Sequence, residues 1–273
     1  MDRLKGENQI GSFKQVAERL VSQLSSIKGV AGIVFMGGLA RGFADRFSDV
    51  DIDVYLGVED RKLRETIRKM VADEQKRSGI DIDLPIYFLG AFKKRRWTEI
   101  DRWDYSHAVI VHDLKGEVKR LFDQKLAVPR DFWMKRIATC AEHLKWYCCP
   151  TGENVDTIAE AWVERGDLAS AHYCVTYAID VLLRLIFALN REFVPPQKWG
   201  IFYSYTLKCL PSNYEELLTE GMIIRELSTN DLERRLKALR EIWRGTVPKI
   251  EEETGLTLEE LSKYYVKNVL LQG

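Results

Sequence analysis

The sequence predicts an α/β domain with a small mixed sheet flanked by helices, followed by an all-helical C-terminal domain, and three observations carry that reading. Alternation of apolar and polar residues, the mark of half-buried strands, recurs before residue 128 and fades after it. From Pro129 onward helical periodicity dominates, punctuated by CCPTG, RGD, VPPQ and LPSN. A chain of 273 residues that is 46% hydrophobic and 11% aromatic has enough apolar surface for one large core or two ordinary ones. The boundary therefore falls between residues 1–128 and 129–273.

Phe13, Val16, Ala17, Leu20, Leu24 and Ile27 form the apolar stripe of a helix over 12–27. VAGIVFM (30–36) reads as a buried strand running into a glycine-rich turn at Gly37 and Gly38. Val50, Ile52, Val54 and Leu56 alternate with acidic residues, which predicts a strand with one apolar face. Leu63, Ile67, Met70 and Val71 share a face of a helix over 60–77. GIDIDLPIYFL (79–89) reads as a single alternating strand, with Asp81 and Asp83 on the face opposite Ile80, Ile82, Leu84 and Ile86. AVIVHD (108–113) supplies a further short strand.

In the second half, 168–189 is an unusually apolar helix, and 231–244 is an amphipathic one with Leu232, Leu236, Leu239 and Trp243 along a face. A last helix opens at Thr257, where Glu260 completes a T-x-x-E capping box.

The formal net charge is zero, from 41 basic and 41 acidic residues. That balance argues against a chain that holds nucleic acid mainly by counterion release, while leaving room for a local basic patch. The richest apolar run, VLLRLIFALN, is broken by Arg184 and falls short of the ~18 residues of a membrane helix. The N-terminal MDRLKGENQI lacks the apolar stretch of a secretory signal. Cys140, Cys148, Cys149, Cys174 and Cys209 are odd in number and show no C-x-x-C pair, so reduced thiols in a cytoplasmic protein are expected, with no zinc site.

The chemistry concentrates in MGGLARGFADRFSDVDIDVYL, residues 36–56. Carboxylates two apart on a strand share a face and stand roughly 6–7 Å from each other. Asp49 and Asp51 can therefore converge on one or two hard cations, for which all-oxygen ligation suits Mg²⁺ or Mn²⁺. Asp83 or Asp81 from a neighbouring strand would complete the cluster. Gly37 and Gly38 carry no side chains, so backbone N–H groups there can approach a phosphate, and Arg41 adds positive charge beside the same loop.

This stretch resembles the signature of the nucleotidyltransferase superfamily related to DNA polymerase β: an apolar residue, Gly-Gly or Gly-Ser, about ten residues, then Asp-apolar-Asp. The local FSDVD is similar to the aminoglycoside and lincosamide nucleotidyltransferases and to the minimal nucleotidyltransferases. The resemblance implies that Asp49 and Asp51 are the metal pair, that Gly37 and Gly38 hold the triphosphate with Ser48 and Arg41 nearby, and that Asp83, with Asp81 as the other candidate, is the third carboxylate. Asp53 is then an extra acid that orients a neighbour or meets solvent. The family often has serine where this chain has Gly38.

By the same resemblance the chain would move an NMP group, most simply AMP from ATP, onto a hydroxyl of a small-molecule acceptor chosen by the helical domain. Transfer to tRNA or to a protein, as in toxin–antitoxin pairs, and a catalytically idle nucleotide-binding or interaction protein are the rival readings. His172, Thr176, Asp180 and Arg184 recur every fourth residue along 168–189 and would either face an acceptor or form a solvated face with an Asp180–Arg184 pair. KKRRW (93–97) and Lys198 could contact a polyanion or a phosphate, but a solvated charge run and an exposed loop lysine are the plainer readings. His107, His112 and the Cys148–Cys149 pair read as structural.

Overall fold

The computed structural model describes residues 3–150 and 156–271 and divides into two compact units, Met1–Val128 and Pro129–Gly273. Thr151 and Gly152 of the CCPTG stretch lie outside the described residues.

In the first unit the elements run α1 (Ile10–Leu24), β1 (Val30–Phe35), α2 (Gly37–Arg41), β2 (Val50–Leu56), α3 (Arg61–Ser78), β3 (Ile82–Asp83), β4 (Ile86–Phe88), α4 (Leu89–Lys94), α5 (Glu99–Ser106), β5 (Val109–Asp113) and α6 (Glu117–Leu126). The sheet is mixed and five-stranded, in the order β3-β2-β1-β5, with β4 also beside β2. β1 is antiparallel to β2 and β5, whereas β3 and β4 run parallel to β2. Parallel neighbours need a crossover, and α3 provides it.

Three expectations change here. The glycine turn after β1 is a short helix, α2, closed by Gly42 in the left-handed conformation. The single strand over 79–89 is two strands interrupted at Leu84–Pro85, because proline has no N–H for the ladder. Register survives the break: Val50 faces Ile82 and Asp51 faces Asp83 before it, and Val54 faces Ile86 after it. The second face of β2 is also not simply polar. Val50, Ile52, Val54 and Leu56 pack with Phe13, Leu20 and Ile67 of α1 and α3, while Tyr55 on the opposite face joins Phe92, Trp97, Tyr105 and Phe122 in a second core. α4 and α5 build much of that core, and neither shows helical periodicity long enough to read from sequence.

The second unit is helical throughout: α7 (Phe132–Tyr147), α8 (Ile158–Glu164), α9 (Leu168–Leu189), α10 (Gln197–Ser204), α11 (Tyr214–Met222), α12 (Thr229–Thr254), α13 (Leu258–Tyr265) and a π-helical turn at Val266–Leu270. α9 is long and apolar enough to cross a bilayer by length and composition, but most of it is buried as the central helix of this core. α12 runs ten residues past the expected end at 244, through Pro248. Buried Ile242, Trp243, Thr246 and Ile250 anchor both sides of the proline, and that packing outweighs the lost hydrogen bond. The Thr257–Glu260 capping box forms, with Thr257 Oγ1 accepting from the Glu260 N–H at 3.3 Å.

Candidate active site

The site is assembled on β2 and the elements that flank it. Met36 is extended and leads directly into α2, whose first residue, Gly37, has φ +49°. A Cβ on Gly37 would lie 1.7 Å from Asp51 Oδ2, so the Asp51 carboxylate occupies the space that any other residue would fill. The Gly38 N–H donates to the Asp51 carboxylate, so the amide expected to meet a phosphate already has an anionic partner. A Cβ on Gly38 would stand 2.5 Å from the Phe43 carbonyl oxygen, which explains glycine where the resembling family often has serine.

Asp51 is half-buried, and burial, Asp49 and Asp83 together push its pKa up to about 7; Arg41 and the Gly38 amide pull it back. The structure thus brings Asp49, Asp51 and Asp83 together, with Asp83 beside Asp51 in the parallel ladder. Asp81 is held elsewhere: its carboxylate accepts from Gln75 Nε2 of α3 at 3.0 Å, and its carbonyl accepts the Val50 N–H at 2.9 Å. Arg41 lies with its guanidinium carbon 5.5 Å from the centre of the buried Trp103 ring, and its charge acts on Asp51. Ser48 is used locally, since its hydroxyl accepts the Asp45 N–H at 3.0 Å and donates to Asp45 Oδ1 at 3.1 Å. That arrangement shapes the loop before Asp49. Phe47 in the same loop is 81% exposed, an apolar ring that strand and helix periodicity did not single out.

Asp53 does not meet solvent. It is 5% exposed, and its Oδ2 accepts from the phenols of Tyr55 at 3.0 Å and Tyr105 at 2.8 Å. Burial raises its pKa to about 6, with the two phenols working against that shift and Asp83 adding to it. Tyr105 comes from α5, fifty-two residues away, so nothing near Asp53 in the sequence announces the pair. Tyr105→Phe leaves a buried carboxylate with one donor and should cost about 1–3 kcal/mol, read from chemical denaturation at pH 7. An unchanged midpoint would mean that Asp53 does not depend on that phenol.

Other candidates separate cleanly. Of the KKRRW run, Trp97 is buried in the aromatic core and Arg95 pairs with Asp101 at 2.5 Å, leaving Lys93, Lys94 and Arg96 exposed. His107 caps α5, its Nδ1 2.8 Å from the Trp103 carbonyl oxygen, and His112 lies in β5. Cys140, Cys148, Cys149 and Cys174 are buried free thiols and Cys209 is exposed. Lys198 is exposed in the first turn of α10.

Asp49 and Asp83 add to the burial that raises the Asp51 pKa, and the donors of the three carboxylates are all hard oxygens of the kind Mg²⁺ or Mn²⁺ takes. Among the described residues no three His, Cys, Asp or Glu side chains converge as a ready coordination shell. An ion held by one or two carboxylates together with substrate phosphates and water requires none, so the donor set fits such an ion.

The site thus combines a small mixed sheet with helices, a glycine pair leading into a short helix, and aspartates on and just before the next strand. Residues 16–144 match the family model of the nucleotidyltransferase domain, and residues 103–200 match a domain of unknown function, DUF4037. Residues 16–144 are therefore similar to nucleotidyltransferase domains, over a little under half of the chain. Domains of this family use a nucleoside triphosphate and a divalent metal. A nucleotidyltransferase-like protein from Exiguobacterium sibiricum 255-15 is similar in structure, with 12% identity, a TM-score of 0.40, and coverage of 88% of this chain and 77% of that one; a likeness so distant adds nothing on function. No curated protein shows significant sequence similarity to the chain.

Proposed function

We propose that the chain transfers an NMP group, AMP from ATP in the simplest case, onto a hydroxyl of a small-molecule acceptor and releases pyrophosphate. The observation that carries this reading is the placement of Asp83 beside Asp51 and Asp49, against a glycine pair too crowded for any side chain. Asp49 and Asp51 would hold Mg²⁺ or Mn²⁺, with Asp83 adjoining. When bound, such an ion neutralises phosphate charge and makes the acceptor hydroxyl more acidic.

The chain's own residues supply the rest. Gly37 leaves room for the Asp51 carboxylate and Gly38 holds it through its N–H, with the triphosphate lying beside that turn and Arg41 offsetting charge on its oxygens. Asp83 accepts the proton of the acceptor hydroxyl as that oxygen bonds to the α-phosphorus. The bond from the α-phosphorus to the bridging oxygen breaks, and its electron pair leaves with pyrophosphate. Ser48 shapes the loop that delivers Asp49. The helical unit, residues 129–273, is the proposed acceptor-binding part.

The test is incubation of the full chain with each α-labelled NTP, Mg²⁺ and separate pools of small molecules, RNA and protein. Label should enter the small-molecule pool and vanish with Asp49→Asn. Label in RNA or protein would replace the acceptor class, and transfer retained by Asp49→Asn would overturn the mechanism.

A further inference from the structure

The polar stripe on α9 is two features. Buried His172 and exposed Thr176 both engage the fully buried Arg235, whose guanidinium donates to the Gly221 and His172 carbonyls and to Thr176 Oγ1. Arg235 can only donate, so His172 Nδ1 accepts from it at 3.0 Å, and the ring proton sits on Nε2, which donates to the Ser228 carbonyl at 3.2 Å. Asp180 and Arg184, also exposed, are not bound by Arg235, form no ion pair with each other, and line a groove of about 490 Å³ between α7 and α9.

The chemistry of that groove is specific. Arg136 on the α7 wall and Arg184 on the α9 wall carry guanidinium groups, whose planar forks match phosphate oxygens. Asp180, one turn from Arg184, would repel a bare anion, so a fitting ligand must also bring hydrogen-bond donors, as a sugar diol does. Two aromatic rings also line it: Phe132, with the Arg136 guanidinium carbon 5.4 Å from its centre, and Tyr177. His143 Nδ1 is 3.0 Å from the Tyr177 hydroxyl, which leaves Nε2 to meet a base edge, and burial lowers the His143 pKa. Outside the groove the rings continue, with Trp146 stacked on His143 at 5.7 Å and Tyr173 73% exposed one turn before Tyr177. Cations interleaved with aromatic faces are the surface that nucleotides use, and the volume falls in the range of roughly 300–1,000 Å³ typical of small-ligand sites.

We propose that the α7–α9 groove is a binding site for a ribonucleoside monophosphate unit, either a free nucleotide or the terminal unit of an RNA strand. Arg136 and Arg184 hold the phosphate, Asp180 accepts from the ribose hydroxyls, and the base lies against Tyr177 or Phe132. The inference goes beyond the transfer reaction and rests on the helical unit alone.

Calorimetric titration of the full chain tests it, in EDTA and with Asp49→Asn run in parallel so that the β2 site is accounted for. AMP should bind, with adenosine and ribose 5-phosphate each weaker by roughly tenfold or more, since each lacks one recognised part. Arg184→Ala should weaken AMP by roughly tenfold or more without changing adenosine. Asp180→Asn should weaken AMP but not its 2′,3′-dideoxy analogue. Both residues are exposed, so unchanged melting temperatures are expected for the two variants. A short oligoribonucleotide that binds more tightly than AMP, with the same loss in Arg184→Ala, assigns the site to an RNA end; no gain over AMP assigns it to a free nucleotide. AMP binding that is absent, indifferent to Arg184→Ala, lost in Asp49→Asn, or matched by inorganic phosphate overturns the proposal. Groove binding of AMP by a protein that transfers no label would leave this inference standing and remove the proposed reaction.

Discussion

Asp51→Asn is expected to abolish nucleotide transfer and, at the same time, to make the metal-free protein more stable above neutral pH. The activity loss follows from removing a carboxylate from the centre of the Asp49–Asp51–Asp83 cluster, where a preorganised charge is worth at least roughly 10²–10³-fold in rate. The stability gain follows from the pKa of about 7 that burial and the two neighbouring carboxylates impose on Asp51. A carboxyl whose folded pKa lies above its unfolded value supports the fold fully below the unfolded value, near 4, and that support is lost as pH rises through 7. By pH 8 the ionised Asp51 costs the fold roughly 2–4 kcal/mol. Asparagine keeps an oxygen for the Gly38 N–H and removes the charge.

In EDTA at pH 8 the variant should therefore melt about 5 °C or more above the parent, and the gap should narrow toward pH 5. Mg²⁺ added to the parent should recover part of the difference. Equal melting temperatures at pH 8 would show that the three carboxylates do not burden the fold.

Gly37→Ala should lose activity with the opposite effect on stability. Its Cβ would have to displace the Asp51 carboxylate, and alanine is disfavoured at φ +49° by about 1–2 kcal/mol before any clash is counted. A shift of about 1 Å in a reacting group costs on the order of 10²-fold in rate. Transfer should fall by that much or more while the melting temperature drops by several degrees. In an Asp51→Ala background the stability penalty of Gly37→Ala should shrink toward the backbone part, because the clashing oxygen is gone and only the tight contact with the residue 51 Cβ at 3.1 Å remains. An equal penalty in both backgrounds would place the strain elsewhere than against Asp51.

Much of the site was legible because its parts are local in sequence. Gly37, Gly38, Asp49 and Asp51 lie within fifteen residues, and strand periodicity alone puts both aspartates on one face. Asp83 against Asp81 was open, because both share a parity and only the ladder decides which stands beside Asp51. For Asp53 the sequence leaves two readings, an acid that orients a neighbour or one that meets solvent, and the solvent-facing one fails because the Tyr105 phenol that binds it is remote in the chain. The stripe on α9 looked uniform from its four-residue spacing, yet Arg235 of α12 claims its first two members, and only the last two reach the groove.

The sequence by itself determined the division into an α/β part and a helical part, the long apolar α9, the Thr257 cap and the glycine–aspartate signature. Those depend on periodicity, capping and short-range chemistry, which a single stretch of chain carries within itself. Only the tertiary structure decided how the broken strand over 79–89 keeps its register, which third carboxylate joins the pair, and why Gly38 has no room for serine. The continuation of α12 through Pro248 belongs with these. Each turns on atoms brought together from distant parts of the chain, and hydrogen-bond register, burial and steric contact at that range have no local pattern to read.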